Sequence, residues 1–193
     1  MSSTVYKGDR TRGEIEIVEE ELVFGNRYIS VYNDRVLFPK GNEGTYLRVC
    51  NPTEKSVAVL PVTVNGRFVF IRNFRHGMRG WGIEVPKGGV EEGETLLDSA
   101  ARELTEETGY SAERFVCAGE YSDSPAVFSG TMACFFALGC TRHADTAPED
   151  TEAISEVIIE DEAGYRKCAA ECDFIDSITE LLILKYLREG IEK

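Results

Sequence analysis

No apolar run in this chain approaches membrane-spanning length, because charged residues interrupt every one. The opening stretch, Met1-Ser2-Ser3-Thr4-Val5-Tyr6-Lys7, carries no apolar secretory core. Basic residues are in deficit: 21 Lys and Arg stand against 34 Asp and Glu, a formal net charge of −13. A non-specific nucleic-acid binder needs the opposite balance, so neither nucleic acid nor membrane is an expected partner. A phosphorylated small molecule stays open, provided that cations sit between it and the acidic protein. Zinc spacing is missing too. Cys50, Cys117, Cys134, Cys140, Cys168 and Cys172 match no metal pattern, and nothing marks an oxidising compartment. Most are expected as reduced core residues of a cytoplasmic protein. There is no internal repeat and no low-complexity tract. What remains is a chain of 193 residues that can bury a core without disulfides, as one domain with a modest extension.

The strand signals come first. Segments Glu14 to Phe24 and Arg27 to Phe38 are rich in β-branched and aromatic residues, with a turn signal at Gly25-Asn26 between them. Thr45 to Cys50, Ser56 to Val64 and Arg67 to Arg72 read as three more strands, the last two joined by the hairpin signal Asn65-Gly66. Pro61 sits awkwardly inside its strand and points to an edge or a bulge. One helix is predicted over Leu96 to Thr108, with Thr95-x-x-Asp98 as a capping box and Gly109 just past its end. Strands follow at Phe115 to Tyr121, Thr131 to Cys140 and Glu156 to Glu160, then a short helix over Asp161 to Ala170 and a last one capped through Ser177-x-x-Glu180. The acidic stretch Ala144 to Ala153 has no apolar period and reads as an exposed loop. Many strands with few helices argue for an α+β or mixed sandwich.

On the predicted helix Glu103 and Glu107 lie one turn apart and Glu106 flanks them, while Leu97, Ala101 and Leu104 form the side that packs on a sheet. Three carboxylates this close repel one another unless a cation neutralises them, and oxygen-only ligands suit magnesium or manganese. Arg102, four residues before Glu106, can hold a carboxylate in place. The plain alternative is a solvated acidic helix face.

The longer pattern weakens that alternative. Residues Gly88 to Tyr110 resemble the Nudix box, Gly-x5-Glu-x7-Arg-Glu-U-x-Glu-Glu-x-Gly-U with U a bulky aliphatic residue. Gly88, Glu94, Arg102, Glu103, Leu104, Glu106, Glu107 and Gly109 fit, and Tyr110 departs at the last position. The resemblance implies a Nudix-type mixed-sheet α/β/α sandwich with an N-terminal antiparallel strand extension, divided at 1–55 and 56–193. It implies Mg2+, with Mn2+ as a substitute, held by Glu103, Glu107, Glu106 directly or through water, and the backbone carbonyl of Lys87. Arg102 would orient the carboxylates; Glu94, Gly88 and Gly109 would support the loop.

Further stretches resemble the ADP-ribose pyrophosphatase branch: Val57 to Val62, Phe70 to His76, Trp81 to Pro86, Pro125, and Ile175 to Thr179. That branch implies Arg75, Trp81 and Pro125 as substrate-binding residues and a homodimer built partly from the leading strands. Its general base comes from a late loop, which makes Glu152 the first candidate here and Asp150 the second, with Glu106 on the helix as the rival. After Pro125 the chain lacks the glycine and carboxylate common in that branch. The expected activity is hydrolysis of ADP-ribose or a related nucleoside diphosphate sugar to a nucleoside monophosphate and a sugar phosphate. Hydrolysis of dinucleoside polyphosphates or other nucleotides, and non-catalytic sensing of a nucleotide sugar, are the alternatives.

Overall fold

The computed structural model describes residues 5–51, 53, 55–122, 124–149 and 151–191. The described residues within Met1–Glu54 and Ser124–Gly130 form one compact unit, and those within Lys55–Asp123 and Thr131–Lys193 form a second.

In the first unit β1 (Glu16–Glu19), β2 (Leu22–Gly25), β3 (Ser30–Leu37) and β4 (Glu43–Cys50) make an antiparallel sheet. The long leading strand read from the sequence is broken in two: β1 and β2 share one edge of β3, and register shifts interrupt each pairing. The turn after β2 is held by Asn26, whose Oδ1 accepts from the N–H groups of Tyr28 and Ile29. Asp34 is buried on β3 and accepts from Arg48 Nε at 2.7 Å, so this small sheet is pinned by a charge pair as well as by its ladder.

The second unit is built on a mixed sheet. Its centre is β5 (Lys55–Thr63), which runs antiparallel to its hairpin partner β6 (Phe68–Arg75); β7 (Gly80–Glu84), β8 (Lys87–Gly89), β9 (Tyr110–Ser111), β10 (Arg114–Tyr121), β11 (Thr131–Arg142) and β12 (Ile154–Glu160) complete it. Strands β5 and β11 are parallel, and the other pairings are antiparallel. The run Val57 to Val62 is buried throughout because helices cover both faces. Val57 and Val59 face α1 (Leu96–Thr108), packing with Ala100, Leu104 and Ala137. Ala58, Leu60 and Val62 face α2 (Glu162–Ala170) and α3 (Ser177–Glu189), packing with Tyr165, Leu182 and Ile183. Alternation along one strand therefore divides the core into two layers, which is the α/β/α sandwich. No helix among the described residues is long and apolar enough to cross a membrane.

Three local readings need correction. Pro61 lies in the central strand, not at an edge. Strands β8 and β6 both pair with β5 on its side away from β11, β8 at Ser56–Ala58 and β6 at Val62. Val59 N–H reaches Pro86 O and Thr63 N–H reaches Arg67 O on that side. Pro61 falls at the split between the two partners, where no ladder donor is needed. Leu97 is 48% exposed rather than packed; the buried stripe of α1 is Ser99, Ala100, Glu103, Leu104, Glu107 and Thr108. Helix α3 is capped by Asp176, which accepts from Thr179 N–H, and Ser177 is its first helical residue. The capping box of α1 is present in both directions between Thr95 and Asp98.

Replacing Pro61 by Ala tests the split. It removes buried methylenes at about 0.8 kcal/mol each and frees the unfolded chain by up to about 1 kcal/mol. Guanidinium unfolding should show a loss of about 1–3 kcal/mol. A gain in stability would mean that a ladder donor had been missing there.

Candidate active site

The corrected orientation of α1 sets the character of the site. Glu103 and Glu107 lie on its buried side, 6% and 1% exposed, while the Glu106 side chain is 40% exposed. Glu107 Oε2 accepts from Lys87 N–H at 3.1 Å, and its Oε1 is buried with no hydrogen-bond partner among the described residues. Arg102 spans the group: its Nη1 donates to Glu103 Oε1 at 2.8 Å and to Glu106 Oε2 at 3.1 Å, and its Nη2 donates to Gly89 O at 2.9 Å. Glu94 fixes the other edge of the guanidinium, accepting from Nε at 2.9 Å, and also accepts from Ser99 Oγ at 2.5 Å. Hydrogen bonds from Arg102 and then Ser99 hold the Glu94 carboxyl down at about 2. Gly88 leaves room for Glu103: a Cβ there would stand 2.0 Å from Glu103 Oε1. Gly109 takes φ of 75°, the left-handed cap that ends α1, and a Cβ on it would meet Ala144 O at 2.3 Å.

Glu152 belongs to this group in space. The loop that carries it is tied to α1 at its root. His143 and Ala144 N–H both reach Gly109 O, and Ala147 N–H reaches Glu106 O at 2.7 Å. Its far end is tied to β6 by Phe74 N–H on Ala153 O. Glu152 Oε2 accepts from Glu149 N–H at 2.9 Å. Asp150 lies outside the described residues. Burial, then the charge of Glu152, then that of Glu103, raise the Glu107 carboxyl far above its usual range. Burial pushes Glu103 up to about 7, against the pull of Arg102.

These residues fit a hard divalent cation. All the donors are oxygens, the like charges need neutralising, and one buried carboxylate oxygen has no partner among the described residues. Among the described residues no three His, Cys, Asp or Glu side chains are gathered into a finished cage. The fit therefore rests on Glu107 Oε1 and on the repulsion among Glu103, Glu107 and Glu152.

Beside the carboxylates runs a second charged chain. Arg75 grips the buried Glu84 through Nε at 3.0 Å to both carboxylate oxygens and through Nη2 at 2.5 Å. Lys87 Nζ lies 2.6 Å from Asp176 Oδ1 and 3.4 Å from Glu84 Oε2. Sequence reading did not single out Glu84 or Asp176; the available signal was a carboxylate set between Ile83 and Val85. Trp81 packs edge-on against Phe74 at 5.4 Å, and its backbone N–H donates to Asp173 Oδ2. Pro125 lies in the first unit, where with Tyr46, Leu47 and Arg48 it lines a cavity of about 150 Å3.

A sequence profile described as the NUDIX domain matches residues 52–171, more than half of the chain. The chain belongs to the Nudix family. An ADP-ribose pyrophosphatase of Bacillus subtilis (strain 168) is 32% identical over 124 residues, which cover 64% of this chain and 66% of that protein. A mouse ADP-sugar pyrophosphatase is 32% identical across 60% of this chain and 54% of its own length. The chain thus spans less than two thirds of either. A solved structure of an ADP compounds hydrolase superposes with a TM-score of 0.76 at 22% identity, over 98% of this chain and 96% of that one, and establishes the shared fold. The Bacillus subtilis and mouse relatives are both named as pyrophosphatases.

The raised carboxyls make stability depend on pH in the absence of metal. Glu103 titrates near its usual 4.5 when unfolded and near 7 when folded, so the folded chain holds its proton more tightly. Its contribution is present below about pH 4.5 and is lost as pH rises through about 7, a span of order 3 kcal/mol. Thermal unfolding in chelator should show this decline, Glu103→Gln should lessen it to the part that Glu107 contributes, and a divalent cation should restore stability at pH 8. A chain that grows steadily more stable from pH 5 to 8 in chelator would contradict the burial of these groups.

Proposed function

We propose that this chain is a Mg2+-dependent pyrophosphohydrolase, with Mn2+ as a substitute, that splits ADP-ribose or a related nucleoside diphosphate sugar into a nucleoside monophosphate and a sugar phosphate. The observation that carries this reading is the orphaned buried oxygen of Glu107 within a set of mutually repelling carboxylates. Glu103, Glu107, the Lys87 carbonyl and Glu106, directly or through water, would hold the cation. When bound, it neutralises charge on the pyrophosphate and lowers the pKa of the attacking water. Arg102 orients Glu103 and Glu106, and Glu94 keeps Arg102 in that pose. Glu152 takes the proton from water, because its loop brings a carboxylate to Glu107 while Glu149 N–H holds one of its oxygens. Arg75 is partly exposed and pinned by Glu84, which suits a preorganised cation for a phosphate. By the same resemblance Trp81 borders the substrate. Two of the relatives are named for ADP-ribose or an ADP-sugar, which favours a nucleoside diphosphate sugar over a dinucleoside polyphosphate. All six cysteines are free, which suits the reducing cytoplasm.

The test is turnover across a nucleotide panel with Mg2+, read by chromatography for wild type, Glu107→Gln, Glu106→Gln and Glu152→Gln. ADP-ribose or an ADP-sugar should lead the panel. Glu107→Gln should lower kcat by at least about a hundredfold, since such a charge contributes several kcal/mol in the transition state. Glu152→Gln should depress kcat with little change in KM. If Glu106→Gln abolishes turnover while Glu152→Gln stays within about twofold of wild type, the base sits on the helix. Binding without turnover by the wild type would mark a sensor.

The homodimer is part of the same reading. Ile15, Val18, Leu22, Val23, Phe24, Tyr46 and Leu47 in the first unit are each more than a third exposed, an apolar surface that a second copy would cover. Light scattering at micromolar concentration should give twice the mass of one 21.5 kDa chain. A monomer would count directly against it.

A further inference from the structure

The segment Val85 to Lys87 is gripped from behind by the first turn of α3. Val85 N–H donates to Thr179 Oγ1 at 2.9 Å, and that hydroxyl donates to Asp176 Oδ2 at 2.7 Å. Thr179 N–H also donates to Asp176 Oδ2, at 2.9 Å, so this one oxygen caps the helix and orients the hydroxyl. The other oxygen of Asp176 accepts from Lys87 Nζ at 2.6 Å. In front, Lys87 N–H donates to Glu107 Oε2, and between the two ends Pro86 O accepts from Val59 N–H.

Thr179 has no exposed surface. Its single proton and its acceptor are both committed, so it cannot turn without orphaning a buried partner. A helix cap alone needs no negative charge: Ser, Thr or Asn would serve. Asp176 does more than cap, because its second oxygen meets an ammonium. Burial by itself would raise the Asp176 carboxyl, yet Lys87 and the Thr179 hydrogen bonds hold it below its usual range.

We propose that Asp176 and Thr179 are positioning residues for the divalent cation. They fix the Val85–Lys87 backbone from the side opposite Glu107, so that the Lys87 carbonyl and the Glu107 carboxylate are set relative to each other before metal arrives. The role rests on the assignment of Lys87 and Glu107 as cation ligands. Groups that orient metal ligands from behind commonly change affinity by about 10–100-fold when removed.

The test is Mn2+ binding to the purified full chain, titrated by electron paramagnetic resonance, alongside the metal-free Tm. Thr179→Val removes the hydroxyl at nearly constant volume, and Thr179→Ser restores it. Asp176→Asn keeps the cap but drops the charge facing Lys87, which Glu84 still neutralises. Both Thr179→Val and Asp176→Asn should weaken Mn2+ binding by roughly 10-fold or more, with Thr179→Ser within about threefold of wild type. Should Thr179→Val fail to fold, Asp176→Asn decides alone. The proposal is overturned if Mn2+ affinity stays within about twofold of wild type in the variants, or if Thr179→Ser binds as poorly as Thr179→Val. A wild-type chain that binds no Mn2+ removes the cation assignment and this role together.

Discussion

Glu103 and Glu107 sit on the buried side of α1, one turn apart, with a third carboxylate brought against them by a distant loop. Stripping a carboxylate of water costs several kcal/mol, and a like charge beside it adds to that cost. Nearby structure is arranged around that tension. Arg102 offsets part of it by bonding Glu103 and Glu106 at once, and it can do so only because Glu94 and Gly89 O hold its remaining donors. Glu94 is in turn held by Ser99 and by the backbone at Glu91. Gly88 is glycine because Glu103 occupies the space a side chain would need. What is left unbalanced is Glu107, and its unpartnered oxygen is where added positive charge gains most.

The helix itself works against its own carboxylates. Glu106 and Glu107 lie in the last turn of α1, where the backbone carbonyls already present partial negative charge, and no basic residue occupies that turn. A sequence selected for helix stability alone would place lysine or arginine there. The stability of α1 comes instead from its other end, through the Thr95–Asp98 box, and from Ala100 and Leu104 against β5. Sheet geometry supplies the rest. Because β8 and β6 part along one side of β5, the backbone from Val85 to Lys87 runs between them, bonded to β5 through Pro86 O while Lys87 N–H reaches Glu107.

Much of this was legible in the sequence where the signals are local. The period and caps of α1 lie within 15 consecutive residues, and the Asn65-Gly66 hairpin is written in two. The carboxylate spacing survives whatever the helix packs on. Signals failed where a choice depended on a partner far along the chain. Leu97 and Leu96 compete for the same stripe, and only the sheet decides between them. Ser177 and Asp176 are both competent caps, but only Asp176 meets Lys87, 89 positions earlier. Pro61 looked like an edge residue because nothing local reveals that two strands divide at its side. Glu84 carries no spacing signature, since its partners Arg75 and Lys87 reach it from outside its own strand.

The acidic loop shows the same limit and also what resolves it. Composition alone reads Ala144 to Ala153 as solvated surface, and most of its described residues are exposed. Yet the backbone at 143, 144 and 147 is bonded to the carbonyls that end α1, and Ala153 is bonded to β6. The carbonyls at a helix C-terminus have no partners inside the helix, so they must find donors elsewhere. Here they find them in the loop that delivers Glu152. The unmet bonding of α1 thus sets where that loop begins, and the position of Gly109, with no Cβ to obstruct Ala144 O, lets it approach. A carboxylate delivered in this way is held beside Glu107 by backbone bonds at both ends of its loop, so its placement does not depend on attraction between two groups that repel.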